Sequence, residues 1–436
     1  MKKLSKVLAI VLSLVLVIGC FAACGNKIES DTTPDVEEAA ETSGLENVKI
    51  GFIFLHDPSA STYDNNFYQA ALAAKEALGL SDDQVMFKWN VPEEGSDCYD
   101  TAAEFIDEGC NIIFADSFGH ESNMKLAAAD FPEVQFCHAT GTQGIVAGLA
   151  NYHNAFASIY EGRFLAGIAA GMKLNEMIEN GEITAEEAKI GYVGAWPYAE
   201  VKSGYTSFYL GARSVCESAT MEVTFTNSWF DIALEKEGAL KLIDDGCVLI
   251  SQHADSEGAP KACEEKGVPD VAYNVSTIDL GPNTAIISSK INWQPYFELI
   301  IKAVANGEEI PNDWCGTIAT DSVQLTELNE AVAAEGTAEA IEEAKAKLAS
   351  GELKVYDTST FTVTRFDDTY NQYKADSIKT DDEGHVTSYL ADVQDMGDYI
   401  GETEVIADGY FVESGIDAGF RSAPYFDLDI DGITIK

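Results

Sequence analysis

Short apolar segments alternate with amphipathic segments along the chain from residue 48 onward. The apolar segments indicate strands, and the segments whose apolar residues recur every three to four positions indicate helices. A first series of strands reads VKIGFIFL, QVMFKWNV, CNIIFADS and VQFCHAT. After the helical segment SIYEGRFLAGIAAGMKLNEMIENG, a second series reads KIGYVGAW, MEVTFTNSW, CVLISQHA and DVAYNVS. This alternation predicts parallel sheets with right-handed crossovers, and the two series predict two similar α/β lobes.

The stretch MEVTFTNSWFD shows how one of these units ends. Its first part alternates apolar and polar residues, as a half-buried strand does. Asp231 is placed to cap the helix that follows, and Gly246 is placed to end it. Trp229 and Phe230 therefore lie at the carboxyl end of a strand, which is where open parallel α/β sheets bind ligands.

The order of the predicted elements divides the chain into lobes. We expect residues 47–148 and 283–312 to form an N-terminal lobe, because NTAIISSKINW and QPYFELIIKAVANG are interpreted as a strand and helix that return to it. Residues 149–282 and 313–351 then form a C-terminal lobe. Residues 352–436 are rich in Asp, Gly and Tyr. They are predicted to add a β-hairpin and loops, and their pattern indicates no role.

The N-terminus has the pattern of a secretory leader. The basic start MKKLSK precedes the apolar run VLAIVLSLVLVIGCFAAC, which predicts a signal peptide over residues 1–23, with a membrane-spanning helix as the alternative. FAAC resembles a bacterial lipobox, so Cys24 is predicted to be acylated, and Cys20 of VIGC is the alternative. Residues 24–46 are acidic and predicted to be a flexible tether. We therefore expect a lipoprotein anchored at the extracytoplasmic face of the cell membrane.

The charge of the chain limits its partners. Lys and Arg together number 27 against 73 Asp and Glu, a formal net charge of −46. Nucleic acid is not expected as a partner, because binding phosphates requires a basic surface. A monomer is expected.

Cysteine spacing and motif searches indicate neither a metal site nor an enzyme. Of nine cysteines, those beyond the lipobox are scattered without CxxC spacing, so buried free thiols are expected. The chain has no GxxxxGK[ST] loop, no HExxH and no GxSxG elbow. We expect no catalysis, no metal and no cofactor.

Seven motifs, in order along the chain, resemble a known family. They are SFG, HATG, IYEGRFLAGIAAG, GARSV, NSWFD, QHADS and NWQPYF. The chain is similar to the basic membrane protein (BMP) family of ABC-importer substrate-binding lipoproteins, and to its branch of purine or purine-nucleoside receptors. The resemblance implies the type I periplasmic-binding-protein fold, with two Rossmann-like lobes, a hinge and a ligand cleft between them. It also implies partners, namely a small purine ligand and the ABC permease and ATPase subunits.

The residues at the predicted strand ends suit a purine. A purine is a flat ring edged with donors and acceptors, so its receptor needs aromatic faces and a few polar groups. The candidate ligand-binding residues are Phe67, Tyr68, Ser117, Phe118, Trp196, Trp229, Asp231, Asp255 and Asn292. Tyr63 is an alternative to Phe67 and Tyr68 as the first stacking residue. Each aromatic residue has packing in the core as its alternative role, and Asp231 has helix capping.

The sequence thus predicts a binding protein that captures a purine nucleoside or purine base by closure of two lobes. The alternatives are a binding protein for a sugar or another small polar solute, and an anchored ligand sensor.

Overall fold

The computed structural model describes residues 44–367, 370–393, 402–414 and 420–436. The predicted signal peptide, both candidate acylated cysteines and most of the tether lie outside the described residues. Within these ranges, no helix is long and apolar enough to cross a membrane.

The strands and helices follow the predicted alternation. The strands are β1 (Ile50–Ile53), β2 (Val85–Lys88), β3 (Ile112–Ala115), β4 (Gln135–Ala139), β5 (Tyr152–Ala157), β6 (Lys189–Gly194), β7 (Thr220–Phe225), β8 (Leu249–Gln252), β9 (Asp270–Tyr273), β10 (Ala285–Ile291), β11 (Asp313–Gly316), β12 (Val323–Leu325), β13 (Ile378–Thr380), β14 (Val386–Asp392), β15 (Glu402–Glu404), β16 (Ile406–Ala407), β17 (Tyr410–Phe411) and β18 (Ile433–Ile435). The α-helices are α1 (Thr62–Leu78), α2 (Asp97–Asp107), α3 (Glu121–Asp130), α4 (Ile159–Glu179), α5 (Ala199–Val215), α6 (Ile232–Asp244), α7 (Gly258–Lys266), α8 (Gln294–Asn306) and α9 (Thr337–Ala349).

Two large sheets form the two lobes. The first has six strands in the order β2-β1-β3-β4-β5-β11, all parallel. The second has seven in the order β18-β7-β6-β8-β9-β10-β12, and β12 runs antiparallel to β10. Central strands such as β1 and β3 are buried along their whole length, as parallel strands covered by helices on both faces must be. The predicted two-lobe α/β fold is confirmed.

The predicted lobe boundaries were wrong where the chain crosses between sheets. β5 was assigned to the C-terminal lobe, but it pairs with β4 and β11 in the first sheet. β10 was assigned to the N-terminal lobe, but it pairs with β9 and β12 in the second, and only α8 returns to pack against α1. The chain passes between the lobes after β5, after β10 and after β11, and these passages form the hinge. A strand pattern does not encode which sheet the strand joins, because its neighbours are distant in sequence.

Helices α4 and α5 pack closely through glycines. A Cβ atom at Gly167 would lie 2.0 Å from the carbonyl oxygen of Phe208, and one at Gly211 would lie 2.0 Å from the carbonyl oxygen of Phe164. A larger residue at either position would force the helices apart. Most of the motif IYEGRFLAGIAAG therefore forms a helix interface inside the second lobe.

The C-terminal region is more than an appended hairpin and loops. After α9 it forms two small sheets, β13-β14-β15 and β16-β17. Its last strand, β18, then joins the second sheet parallel to β7, with Ile433 opposite Met221. Asp429 accepts hydrogen bonds from Lys202 Nζ and from the Tyr205 hydroxyl, both at 2.9 Å. The sequence prediction missed this return because a short strand at a sheet edge has no helix beside it to indicate a βα unit.

The cysteines of the described residues are free thiols, as predicted. All but the half-buried Cys315 are buried.

Candidate ligand-binding cleft

A cavity of about 200 Å³ lies between the carboxyl ends of the strands of the two large sheets. From the first lobe it is lined by residues that follow β1, β3 and β4, and from the second by residues that follow β6, β7 and β8. This is the edge at which doubly wound sheets bind ligands, since the loops there are free of the packing that the strands require. A shallower depression adjoins the cavity at its outer rim.

Aromatic rings from both lobes line the cavity. Phe118 follows β3, and its ring centroid lies 6.1 Å from that of Tyr198, which precedes α5 in the second lobe. Tyr198 in turn lies 6.1 Å from Trp229, with the ring planes at 54°. Trp229 is half-buried and packs one side against the core. These rings offer π faces to a flat ligand.

Carboxylates line the cavity beside the rings. Asp64 in α1, Glu200 in α5 and Asp255 after β8 all contribute. Asp255 is buried, and burial, together with the charges of Glu235, Asp64 and Glu200, raises its pKa well above the usual value. Behind Asp64, burial and the Asp64 charge likewise raise the pKa of Asp116. A group of acids held this close disfavours anionic ligands and favours ligands that donate hydrogen bonds.

A histidine and an arginine support the acidic side of the cavity. His253 Nε2 lies 2.7 Å from Glu200 Oε1. Burial lowers the pKa of His253, and the Glu200 charge opposes that shift. Arg163 is buried beneath the cavity with its guanidinium 3.7 Å from the centre of the Tyr273 ring, and its charge opposes the rise in the pKa of Asp255. The lining is therefore fixed by partners deeper in the second lobe.

Hydrogen bonds join the two lobes across the cleft. The backbone N–H and the hydroxyl of Thr62, in the first lobe, both donate to the carbonyl oxygen of Asp255, at 3.1 and 2.8 Å. The Asn66 side-chain amide donates to the carbonyl oxygen of Ile291 at 2.8 Å. The carboxyl ends of the two sheets are thus held together by hydrogen bonds between the lobes.

The structure brings together some of the predicted site residues. Ser117, Phe118, Trp229 and Asp255 line the cavity. Their contact with a ligand stays a prediction. Trp196 lies in the adjoining depression and stacks on Tyr198 at 5.9 Å, so it supports a cavity residue without lining the cavity.

Other predicted site residues lie elsewhere, and those predictions were wrong. Phe67 is fully buried and stacks on Trp293 in the core, because its face of α1 turns toward the first sheet. Tyr68 packs against Phe87 and Trp89, away from the cavity. Asn292 donates to the carbonyl oxygen of Asp321 and lies outside the cavity.

Asp231 also lies outside the cavity. Its carboxylate accepts from the backbone N–H groups of Ala233 and Leu234, both at 2.9 Å. The predicted cap is therefore confirmed, and both of its hydrogen bonds go to Oδ1.

Sequence reasoning missed much of the polar lining. The missed Asp64 lies in the first turn of α1, next to Tyr63, the alternative first stacking residue, which also lines the cavity. The missed Glu200 lies in the first turn of α5. The first turn of a helix after a parallel strand faces the same edge as the strand end, so the acids in TYDNNF and YAEVK were the available signal. The cavity residues Arg421, Ala423, Pro424 and Asp427 carried no local signal.

Two parallel α/β lobes that meet over a cavity between their strand ends define a two-lobed solute-binding protein. Two solved structures share this fold. The chain matches an ABC transporter solute-binding protein from Conexibacter woesei with a TM-score of 0.56 at 18% identity, over 70% of this chain and 98% of the other. It matches one from Aeropyrum pernix with a TM-score of 0.58 at 18% identity, over 76% and 97%.

The chain belongs to the Bmp family of PnrA-like ABC transporter substrate-binding proteins, whose sequence profile matches residues 49–359. It is 31% identical to a purine-binding protein of Brucella abortus over 71% of this chain and 83% of that protein. It is 28% identical to a Haloferax volcanii protein named as an ABC transporter glucose-binding protein, over 72% of each chain. The family consists of binding proteins and not of enzymes. Its members are extracytoplasmic and deliver small molecules to permease and ATPase subunits.

Proposed function

We propose that the protein captures a purine nucleoside or purine base and delivers it to its permease. The observation that carries the proposal is that Phe118 from one lobe and Tyr198 and Trp229 from the other face one cavity, beside buried carboxylates. Stacking a base on an aromatic ring contributes about 1–3 kcal/mol. Two such contacts supply a large part of the roughly 8 kcal/mol that a micromolar dissociation constant represents.

The carboxylates suit the polar edge of the same ligand. Purine N–H groups and ribose hydroxyls donate hydrogen bonds, and Asp64, Glu200 and Asp255 accept them. The sequence similarity to a purine-binding protein supports the same ligand class. Closure follows from the ligand's contacts with both lobes, because a ligand stabilises the state to which it binds more tightly.

A sugar is the second candidate. The acidic lining also suits sugar hydroxyls, and one relative is named for glucose binding. Calorimetric titration of the mature protein with adenosine, guanosine, adenine, guanine and glucose separates the two. Saturable binding of a purine, without binding of glucose, supports the proposal. Binding of glucose alone contradicts it. Chromatography of adenosine after incubation with the protein tests for cleavage, and none is expected.

We also propose that the protein is a monomeric lipoprotein anchored through Cys24 at the outer face of the membrane. The support is the FAAC junction that ends the apolar leader. Cys24→Ser is expected to abolish labelling by a radioactive fatty acid, and Cys20→Ser is expected to leave it intact. Labelling that survives in Cys24→Ser and disappears in Cys20→Ser would assign the anchor to Cys20.

A further inference from the structure

Part of the cavity wall comes from the C-terminal region of the chain. Arg421, Ala423, Pro424 and Asp427 line the cavity together with residues of the two lobes. These residues lie beyond residue 359, where the match to the family ends. The ligand site of this chain therefore includes a side that the family match does not cover.

The segment that provides this side is held by both lobes. The backbone N–H of Ser422 donates to Asp313 Oδ2 in β11 of the first sheet, at 2.8 Å. A few residues later, Asp429 accepts from Lys202 and Tyr205 in the second lobe. Between these two attachments, Ala423, Pro424 and Asp427 line the cavity.

The segment is also buried, so its position is determined by packing. Phe426, Leu428 and Ile430 are fully buried in the main core, and Phe426 stacks on Tyr356 at 4.4 Å. Ala423 is 4% exposed, and this small residue is one of those that line the cavity. A surface loop could yield to a ligand, whereas a segment packed in this way limits the space that a ligand can occupy.

We propose that the segment Arg421–Asp427 is a third wall of the ligand site and determines which solutes fit, with Ala423 as the residue that leaves room for the sugar of a nucleoside. The inference rests on the proposed purine function. The Arg421 guanidinium donates to the carbonyl oxygens of Ala423 and Pro424, and the Asp427 carboxylate pairs with Lys374, so the wall is held in place by its own contacts. The small Ala423 lies between Arg421 and Asp427 in sequence. A fixed wall that contains a small residue leaves a space of fixed size for the sugar beside the base.

The test enlarges Ala423 and compares a nucleoside with its base. In Ala423→Leu the added carbons enter the cavity, so we expect the affinity for adenosine to fall about tenfold or more, while the affinity for adenine falls less than about threefold. Ala423→Gly adds no atoms and is expected to keep both affinities. The matched control is Thr434→Leu, which enlarges an exposed residue of the same C-terminal region and is expected to leave both affinities unchanged. Calorimetry gives the dissociation constants, and thermal melting reports the fold.

The change in the ratio of the two affinities distinguishes a wall from general damage, because a destabilised protein loses both ligands together. If Ala423→Leu does not fold, Ala423→Val carries the same comparison with fewer added atoms. A folded Leu or Val variant that binds adenosine and adenine as the wild type does overturns the wall. A wild type that binds glucose and no purine overturns the proposed function instead. In that case the third-wall proposal predicts that Ala423→Leu weakens glucose binding about tenfold. Unchanged glucose binding would overturn the third wall.

Discussion

Replacement of Trp229 tests the stacked ligand most directly. Its ring lines the cavity beside Tyr198, while its backbone carbonyl accepts the N–H of Asp255 at 2.9 Å. Trp229→Ala removes the ring and keeps that backbone hydrogen bond. Loss of one stacking contact costs about 1–3 kcal/mol, so the dissociation constant for the purine should rise roughly 5- to 150-fold. Since Trp229 is only half-buried, the unfolding free energy of the empty protein should fall by about 1 kcal/mol.

Two further tryptophans calibrate this experiment. Trp293 is 1% exposed in the core, so Trp293→Ala should cost about 3–5 kcal/mol of stability. Trp89 is 41% exposed and lies outside the cavity, so Trp89→Ala should leave the affinity unchanged. Calorimetry with adenosine and denaturant unfolding without ligand are measured for all three variants. The reasoning is refuted if Trp229→Ala binds adenosine like the wild type and loses as much stability as Trp293→Ala.

Other residues give sharper tests of single interactions. Asp231→Ala should lower the unfolding free energy by about 1 kcal/mol, because the helix cap is lost, and it should leave the ligand affinity unchanged. A large loss of affinity in calorimetry would contradict the position of Asp231 outside the cavity. Thr62→Val removes the hydrogen bond from the Thr62 hydroxyl across the lobes. Because this bond stabilises the closed lobes, the dissociation constant of the ligand should rise about 2- to 13-fold. An unchanged dissociation constant would show that this bond does not favour closure. Burial raises the pKa of Asp270 from 3.8 to about 7. As the pH rises, the Asp270 carboxyl group therefore loses its proton in the unfolded chain before it does so in the folded chain. The contribution of this group to the free energy of unfolding consequently falls between about pH 4 and pH 7. The advantage of Asp270→Asn over the wild type should grow across that range by at most about 1.4 kcal/mol per pH unit and then stay constant. The exposed Asp279→Asn is measured in the same melting series as the control substitution.

The fold could be predicted from the sequence because alternating strand and helix patterns are local. The sheet that a strand joins is not local. Nothing in the apolar run of β10 distinguishes pairing with β9 from pairing in the first sheet, and the prediction placed it wrongly. The family motifs predicted the fold correctly. Much of the motif IYEGRFLAGIAAG, however, serves helix packing and not ligand binding.

The candidate site was predictable where a side chain follows a strand. Phe118, Trp229 and Asp255 were found because the end of a parallel strand fixes where the next residues lie. On helices the prediction failed, since only the first turn of α1, with Tyr63 and Asp64, reaches the cavity, whereas Phe67, one turn further along, packs in the core. The sequence also does not distinguish the acidic residues of the cavity from the many solvent-exposed acidic residues of a chain whose net charge is −46.

The pairing of β18 with β7 has a consequence for how the protein acquires its structure. Ile433 aligns with Met221, so the second sheet joins strands from distant parts of the chain. Such non-local pairing slows folding, because a long loop must close before the contact forms. Residues 421–427, which complete the cavity, lie just before that last strand. A chain still being synthesised can therefore form the first sheet early, but it gains a complete ligand cavity only after residue 435 has been added.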